Sequence, residues 1–155
     1  MRLEVLLLNK TKESYLQEGI RDYQTRLKRF NPIELVEIKV KKLSTRSDSE
    51  IKNFESTLID KRASEGSYRI VLDSRGQQLS SKKFASFLAD LERKSVQTAS
   101  FIIGGPLGLA DEQLRKADYI LSLSSMTYTH DMTRLILLEQ IYRAFTIKAG
   151  TRYHK

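Results

Sequence analysis

The segment Thr98-Ala99-Ser100-Phe101-Ile102-Ile103-Gly104-Gly105-Pro106-Leu107-Gly108 joins an apolar run to a glycine-rich loop. An apolar run of this length that stops at glycine is typical of a buried strand in a parallel sheet. A short helical pattern over residues 111–117 follows the loop. The segment therefore predicts a strand, loop and helix, and its glycines allow the backbone to approach a ligand closely. Its spacing fits equally a plain strand-to-helix turn that needs a positive φ.

The same alternation of strand and helix extends along the rest of the chain. Strands are predicted over residues 2–8, 33–40, 68–73, 98–103 and 119–124, and helices over 12–30, 47–66, 81–94, 111–117 and 131–149. A basic connection is predicted at residues 41–46 and a turn at Ser74-Arg75-Gly76. This order indicates a single α/β domain over residues 1–155, with a mostly parallel sheet and helices on both faces. A ligand site is expected where the strands end.

Composition limits the chemistry and favours a polyanionic partner. The 155 residues include 27 Lys plus Arg against 19 Asp plus Glu, a net charge of +8, which makes nucleic acid the leading partner class. The absence of Cys excludes disulfides, thiolate nucleophiles and zinc ribbons, and only two His argue against a metal site. Neither a membrane-spanning stretch nor a secretory signal is visible, so a soluble cytoplasmic protein is expected.

The last predicted helix is apolar around most of its circumference. Its apolar residues are Met132, Leu135, Ile136, Leu137, Leu138, Ile141, Tyr142, Ala144, Phe145 and Ile147. A helix of this kind has to be covered on two sides, and in so small a domain the second cover is expected to be another copy of the chain. The sequence thus predicts a homodimer through this helix. The alternative is that the first or second helix of the same chain covers it.

A second loop of interest follows the fifth predicted strand. It contains Leu123, Ser124, Ser125, Met126, Thr127 and Tyr128. If this loop and the glycine loop follow neighbouring strands, they form one pocket with backbone hydrogen-bonding groups and apolar walls, which suits an adenosine-like ligand. No Gly-x-Ser-x-Gly elbow or defensible triad spacing is present, so a side-chain nucleophile is not expected.

The C-terminal segment concentrates positive charge. Residues 134–155 contain Arg134, Arg143, Lys148, Arg152 and Lys155 against the single Glu139, which is +4 of the total charge. The tail also carries Tyr153 and His154, a mixture used to bind phosphates and to stack on an unpaired base. The alternatives are an ion pair between Arg143 and Glu139 and a solvated tail.

Two further polar residues are candidates whose roles stay open. His130 begins the last helix with Arg134 one turn later, and alone it fits a hydrogen-bonding cap better than a catalytic group. Asp73 ends the third predicted strand, where it could bind a ribose or simply start the turn before Gly76.

Taken together, three ordered motifs resemble the RlmH (YbeA) group of SPOUT methyltransferases over essentially the whole chain. They are Ile103-Gly104-Gly105-Pro106-Leu107-Gly108-Leu109, Leu121-Ser122-Leu123-Ser124-Ser125-Met126-Thr127, and the run from His130 and Arg134 through Glu139-Gln140-Ile141-Tyr142-Arg143-Ala144-Phe145 to Tyr153-His154-Lys155. The resemblance implies methylation of N3 of a pseudouridine in helix 69 of 23S rRNA, at the position usually numbered 1915, on assembled ribosomes. It also implies a C-terminal trefoil knot and a homodimer whose RNA site draws on both subunits.

The resemblance further implies a set of site residues and the cofactor S-adenosylmethionine. The residues that would contact the cofactor are Leu72, Gly104, Leu123, Ser124, Ser125, Met126, Thr127 and Tyr128. Those that would contact the RNA are Tyr142, Arg143, Arg152, Tyr153, His154 and Lys155. The catalytic residues would be His130, Arg134, Arg143 and His154. Within that set, Arg143 or His154 would hold the uracil ring, and His130 and Arg134 would organise the pocket. Two rival functions stay open: a non-enzymatic RNA-binding or ribosome-assembly factor, and a SPOUT methyltransferase acting on another RNA.

Overall fold

Strands and helices alternate through residues 1–41 and 46–153, the two ranges that the computed structural model describes. The strands are β1 (Arg2–Leu8), β2 (Ile33–Ile38), β3 (Tyr68–Gln78), β4 (Thr98–Ile103) and β5 (Tyr119–Ser122). The helices are α1 (Ser14–Leu27), α2 (Asp48–Arg62), α3 (Ser81–Arg93), α4 (Asp111–Arg115) and α5 (His130–Lys148). Helix α2 begins with a capping box, in which the Ser47 hydroxyl accepts from the Glu50 backbone and the Glu50 carboxylate accepts from the Ser47 backbone. The basic connection predicted at residues 41–46 falls mostly outside the described residues.

All strand pairs in the sheet are parallel. The spatial order is β2-β1-β4-β3-β5, so β4 lies near the centre, between β1 and β3. Successive residues of β1 point to opposite faces of the sheet. On one face Leu3, Val5 and Leu7 pack with α1, α3 and α5, and on the other face Leu6 and Leu8 pack with α2 and α4. The predicted α/β sheet with helices on both faces is confirmed.

Strand β3 is longer than predicted. It was expected to end at Asp73 in a turn, but it continues to Gln78 and pairs with β5 on both sides of a bulge: Leu72 and Gln77 both oppose Leu121. Gly76 makes this possible, since a Cβ at that position would lie 2.6 Å from the carbonyl oxygen of Ile120. Ser74, Arg75 and Gly76, which suggested a turn, instead belong to the bulge where β3 pairs with the edge strand β5.

Helix α5 is largely covered within its own chain. A Cβ on Gly19 of α1 would lie 2.9 Å from Leu135, so α1 packs closely along α5. On the other side, the Ser81 hydroxyl of α3 donates to Gln140 at 2.8 Å. Helix α1 thus covers one side of α5, as the alternative held, whereas α2 lies on the opposite face of the sheet. The homodimer through α5 stays a prediction. A half-buried stripe that includes Met132 and Ile136 is left on α5. None of the helices in the described ranges is long and apolar enough to cross a membrane.

One buried carboxylate connects the strands at the amino-terminal half of the sheet. Glu4 of β1 is 1% exposed and accepts from the Ser100 hydroxyl at 2.5 Å and from the Ser64 hydroxyl and backbone at 2.8 and 3.0 Å. Burial alone would raise the pKa of Glu4, but these hydrogen bonds, with Arg2 nearby, outweigh it and hold that pKa below its usual value. The carboxylate is therefore buried in its charged form.

Replacing Glu4 by glutamine is expected to lower the free energy of unfolding at neutral pH by about 1–3 kcal/mol, because Ser64 then faces an amide that cannot accept every bond. The stabilisation by Glu4 is complete above the ordinary glutamate pKa of 4.5 and is lost as the pH falls through the lower pKa of the folded state. Denaturant titrations at neutral and acid pH measure both effects. An E4Q protein as stable as the wild type at neutral pH would contradict this role.

Candidate active site

A pocket of about 690 Å³ lies at the carboxyl ends of β4 and β5, beside the start of the β3 bulge. It is lined by Leu72, Asp73, Ser74, Ile103, Gly104, Gly105, Pro106, Leu107, Gly108, Leu109, Leu121, Ser122, Leu123, Ser124, Met126, Thr127, Tyr128, Thr129, His130 and Thr133. The two loops expected to meet do so, although their strands are not neighbours: β3 lies between β4 and β5. Leu72, Asp73 and Ser74, where the bulge of β3 begins, therefore lie between the two loops. A pocket of this size is typical of small-molecule and cofactor sites.

The glycine loop forms a tight turn along one wall of the pocket. The backbone N–H of Gly108 donates to the carbonyl of Gly105 at 3.0 Å, and Gly108 has a φ of +78°. At Gly104 a Cβ would lie 2.8 Å from the Leu109 side chain and 3.0 Å from the Gly108 backbone. The turn thus requires a positive φ at Gly108, as expected for a plain strand-to-helix turn. It also brings backbone without side chains to the wall of the pocket.

The loop after β5 forms the opposite wall and is ordered by its own hydroxyl groups. The Ser122 hydroxyl donates to the carbonyl of Ser124 at 2.9 Å, and the Ser124 hydroxyl accepts from the backbone of Met126 at 2.9 Å. Thr129 caps α5 by accepting from the Met132 backbone at 3.2 Å. Ser125, predicted to contact the cofactor, belongs to the same loop but does not line the pocket. The side chain of Met126 is 72% exposed, so the rim of the pocket is apolar.

His130 is the titratable side chain that α5 contributes to the pocket. Burial lowers the pKa of His130, and the Asp131 carboxylate, 3.3 Å from its Nε2, opposes this only in part. The imidazole is therefore neutral near pH 7. A neutral imidazole can accept or donate one hydrogen bond to a ligand in the pocket.

Arg134 lies behind the pocket rather than in it. Its side chain is 1% exposed and donates to the Thr11 hydroxyl at 2.9 Å and to the Leu8 carbonyl at 2.7 Å. Asp131 lies 3.1 Å from the same guanidinium and accepts from the backbone of Lys12 at 3.1 Å. This position fits the prediction that Arg134 organises the pocket. It does not fit the prediction that Arg134 belongs to the catalytic residues that contact the substrate. Arg134 fixes the start of α5 to the segment between β1 and α1.

Asp73 lies in the pocket wall with both carboxylate oxygens occupied. They accept from the Arg75 guanidinium at 2.8 and 3.0 Å, and one accepts from the Arg75 backbone at 2.9 Å. The hydrogen bonds from the Arg75 side chain are the main reason that the pKa of Asp73 lies below its usual value. The charged carboxylate thus stabilises the bulge of β3 beside the pocket.

The remaining predicted residues gather at the other end of α5. The rings of Tyr153 and Tyr142 contact each other edge to face, with centroids 4.8 Å apart. The Arg143 guanidinium lies over the Tyr153 ring, 4.8 Å from the ring centre. Arg29, in the turn after α1, donates to the Tyr142 hydroxyl at 2.7 Å, and the hydroxyl of Tyr23 on α1 lies 3.2 Å from that of Tyr153. These five residues are called the aromatic–cation cluster below. The sequence did not single out Tyr23 or Arg29, since nothing local shows that α1 lies along α5.

The alternative pairing of Arg143 with Glu139 is also present. The Arg143 Nε donates to the Glu139 carboxylate at 3.0 Å, and this hydrogen bond is the main cause that raises the pKa of Arg143. Tyr153 donates to the same carboxylate at 3.2 Å. Arg152 is exposed beside the cluster. His154 and Lys155 lie outside the described residues.

The two groups of site residues are far apart in one chain. The thirteen helical steps from His130 to Arg143 correspond to about 20 Å at 1.5 Å per residue. The pocket and the aromatic–cation cluster therefore do not form one site within a single subunit. Among the described residues, no group of three or more His, Cys, Asp or Glu is arranged to hold a metal ion.

Known proteins resemble this chain over its whole length. The family model described as "Predicted SPOUT methyltransferase" matches residues 1–154. The ribosomal RNA large subunit methyltransferases H of Acetivibrio thermocellus and Clostridioides difficile are 41% and 42% identical over 159 residues, and each comparison covers all of both chains. A Neisseria gonorrhoeae protein assigned to a methylase family has a TM-score of 0.52 over 91% of this chain and 80% of its own, at 10% identity, which is a likeness of fold alone.

These matches confirm the resemblance that the three sequence motifs indicated. The family model and the relatives cover the chain from its first strand through α5, so the match includes both pocket loops and the aromatic–cation cluster. The chain therefore belongs to the SPOUT methyltransferase family, in the group of the ribosomal RNA large subunit methyltransferases H.

Proposed function

We propose that this protein uses S-adenosylmethionine to methylate N3 of a pseudouridine in helix 69 of 23S rRNA, on assembled ribosomes in the cytoplasm. The observation that carries the proposal is the pocket beside β3, β4 and β5, which gathers Leu72, Gly104 and, from the loop after β5, Leu123, Ser124, Met126, Thr127 and Tyr128. The names of the relatives support ribosomal RNA as the substrate. A net charge of +8 suits that polyanion.

The chemistry of the pocket fits S-adenosylmethionine. At Gly104 the space that a Cβ would need is occupied by Leu109, so this position has to be glycine. Gly104 therefore presents only backbone to a ligand in the pocket. Leu72, Leu107 and Met126 provide apolar surface for a purine ring and a thioether, and the two loops provide backbone donors and acceptors. When bound, the cofactor supplies an already activated methyl group.

A homodimer with a composite site completes the proposal. Arg143 is about 20 Å from His130 along α5, so the cation that would bind the uracil cannot come from the subunit whose pocket holds the cofactor. The aromatic–cation cluster of a second copy would supply it. The half-buried stripe on α5, with Met132 and Ile136, offers an apolar surface for that contact. The C-terminal trefoil knot belongs to the same proposal.

The residues of this chain would act mainly by positioning and by charge. Alignment of donor and acceptor in a closed site can contribute about 7–11 kcal/mol to lowering the barrier. The uracil N3 must lose its proton, and Arg143 or His154 would stabilise the developing anion. Of the two tyrosines expected to stack on the base, Tyr142 is only 3% exposed and is covered by other rings, so Tyr153 would take that role. The neutral His130 would hydrogen-bond inside the pocket.

The proposal is tested by methyl incorporation from labelled S-adenosylmethionine into ribosomes that lack this modification, with the product located by mass spectrometry of the rRNA. Label on N3 of the helix 69 pseudouridine is expected. Calorimetric binding of S-adenosylhomocysteine is measured on the same sample. Cofactor binding with label elsewhere, or with none, would overturn the substrate assignment, and absence of binding would overturn the pocket assignment.

A further inference from the structure

The carboxylate of Glu139 on α5 joins three segments of the chain through hydrogen bonds. Its Oε1 accepts from Arg143 Nε at 3.0 Å, from Arg143 Nη2, and from the Tyr153 hydroxyl at 3.2 Å. Its Oε2 accepts from Gln140 at 2.6 Å, and the Ser81 hydroxyl of α3 donates in turn to Gln140 at 2.8 Å. Helix α5, helix α3 and the C-terminal tail therefore meet at one carboxylate.

The tail reaches this carboxylate because α5 ends in a turn that reverses the chain. Gly150 has a φ of +65°, and the N–H of the next residue, Thr151, donates to the carbonyl of Thr146 at 3.0 Å. A bond of this kind around a left-handed glycine is the Schellman ending of a helix. It directs the tail back along α5, where the Tyr153 hydroxyl donates to Glu139.

The carboxylate also orients the ring of Tyr153. The Tyr153 hydroxyl gives its one proton to Glu139, so it accepts the proton of the Tyr23 hydroxyl, which lies 3.2 Å away. Burial, followed by the hydrogen bond with Tyr23 and the charge of Glu139, raises the pKa of Tyr153, so the phenol keeps its proton. The hydroxyl is thus held at both its donor and its acceptor side.

Glu139 further fixes the plane of the Arg143 guanidinium. Two guanidinium nitrogens donate to its Oε1, and the guanidinium lies over the Tyr153 ring, 4.8 Å from the ring centre. A planar cation held along one edge and on one face has little freedom to rotate. An exposed Glu–Arg pair four residues apart stabilises a helix only slightly. Here the Arg143 and Glu139 side chains are only 25% and 20% exposed, and the carboxylate anchors the tail as well.

We propose that Glu139 is a positioning residue that holds the Arg143 guanidinium and the Tyr153 ring in the arrangement that receives the target base. The inference rests on the proposed function, since it requires that these two residues contact the RNA. Glu139 acts through them by accepting their hydrogen bonds. Its negative charge is not needed for this role, because a carboxylate beside Arg143 weakens the attraction of the guanidinium for an anion. A neutral acceptor of the same shape is therefore able to replace it.

Two substitutions of Glu139 separate its hydrogen bonds from its charge. Glu139→Leu removes the acceptor, and the single-turnover rate of methyl transfer to unmodified ribosomes is expected to fall about 10–100-fold, as for a displaced reacting group. The Kd for S-adenosylhomocysteine is expected to stay unchanged, because Glu139 lies about 14 Å along α5 from His130. Glu139→Gln keeps an acceptor and is expected to transfer at a rate near that of the wild type.

A double-mutant cycle distinguishes positioning from a general effect on folding. In the Arg143→Ala protein, Glu139→Leu is expected to lower the transfer rate by a clearly smaller factor than in the wild type, because one of the two side chains that it positions is already missing. A loss of the same factor in both backgrounds would show that Glu139 acts independently of Arg143 and would overturn the inference.

A matched control and the wild type complete the test. Glu92→Leu removes a glutamate of α3 that is 26% exposed and pairs with Lys148 of α5, and it is expected to leave the transfer rate unchanged. A Glu139→Leu protein that transfers like the wild type overturns the inference, as does a slow one that Glu139→Gln does not restore. A wild type that binds S-adenosylhomocysteine but methylates no ribosomal RNA overturns the proposed function together with this role, whereas the other outcomes bear on Glu139 alone.

Discussion

Replacing Arg143 by alanine is expected to reduce methyl transfer by about 10²–10³-fold while the affinity for S-adenosylhomocysteine stays unchanged, because the variant loses one charged donor to the developing anion. The pocket should not sense the change, since Arg143 lies about 20 Å along α5 from His130. Single-turnover methylation of unmodified ribosomes and calorimetry measure the two quantities. Arg93→Ala, an exposed arginine paired with Asp90 on α3, removes the same charge and is expected to be fully active.

Mixing two inactive proteins tests whether the site is composite. Gly104→Val is expected to displace the glycine loop and so disrupt the pocket, because the Leu109 side chain and the Gly108 backbone already occupy the space beside Gly104. In mixed dimers of Arg143→Ala and Gly104→Val, one of the two sites combines an intact pocket with an intact Arg143. Random pairing of equal amounts makes half of the dimers mixed, so recovery of about a quarter of wild-type activity is expected from two-fold symmetry. No recovery, with mixed dimers shown to form, would place both residues in one subunit's site.

Replacing Arg134 by alanine is expected to lower the free energy of unfolding by about 3–5 kcal/mol, the usual cost of removing one partner from a buried ion pair. The substitution leaves Asp131 buried beside no cation and removes the donors to Thr11 and to the Leu8 carbonyl. The start of α5 then loses its attachment to the β1–α1 segment. Because His130 stands at that start, the KM for S-adenosylmethionine is expected to rise as well.

The double variant Arg134→Met and Asp131→Asn separates structure from chemistry. It removes both charges and keeps the volume, so it is expected to recover part of the stability that Arg134→Ala loses. Activity is expected to follow stability in both proteins. An Arg134→Ala protein that unfolds like the wild type but transfers no methyl group would show instead that Arg134 acts on the substrate.

Much of the fold could be predicted from residue patterns because each element carries its own signal. Helix α5 was expected over residues 131–149 and spans His130–Lys148, and β4 was expected with the bounds it has. The extension of β3 could not be predicted, because Ser74 to Gln78 show no alternation and form a strand only by pairing with β5. The strand order likewise depends on pairings distant in sequence, which local patterns do not encode.

For the site, sequence reasoning found the loops but not their arrangement. Residues with unusual backbone or dense hydroxyl groups, such as Gly104 and Ser124, are visible in a sequence and do line the pocket. The depth of Arg134 is visible only in three dimensions, since it depends on which elements lie around the residue. The spatial separation of Arg143 from His130 follows from helix geometry alone and would have been predictable.

The parallel pairing of β1 with β4 also governs the order in which the chain can fold during synthesis. Residues 2–7 pair with residues 98–103, so β1 lacks one of its two neighbours until translation has passed residue 103. At about 5–20 residues per second, translation leaves the apolar β1 exposed for seconds with only β2 beside it. A sheet held together by such distant pairings closes slowly. The nascent chain is therefore exposed to aggregation mainly before Thr98–Ile103 emerges, and this is the stage at which chaperone binding to β1 would matter most.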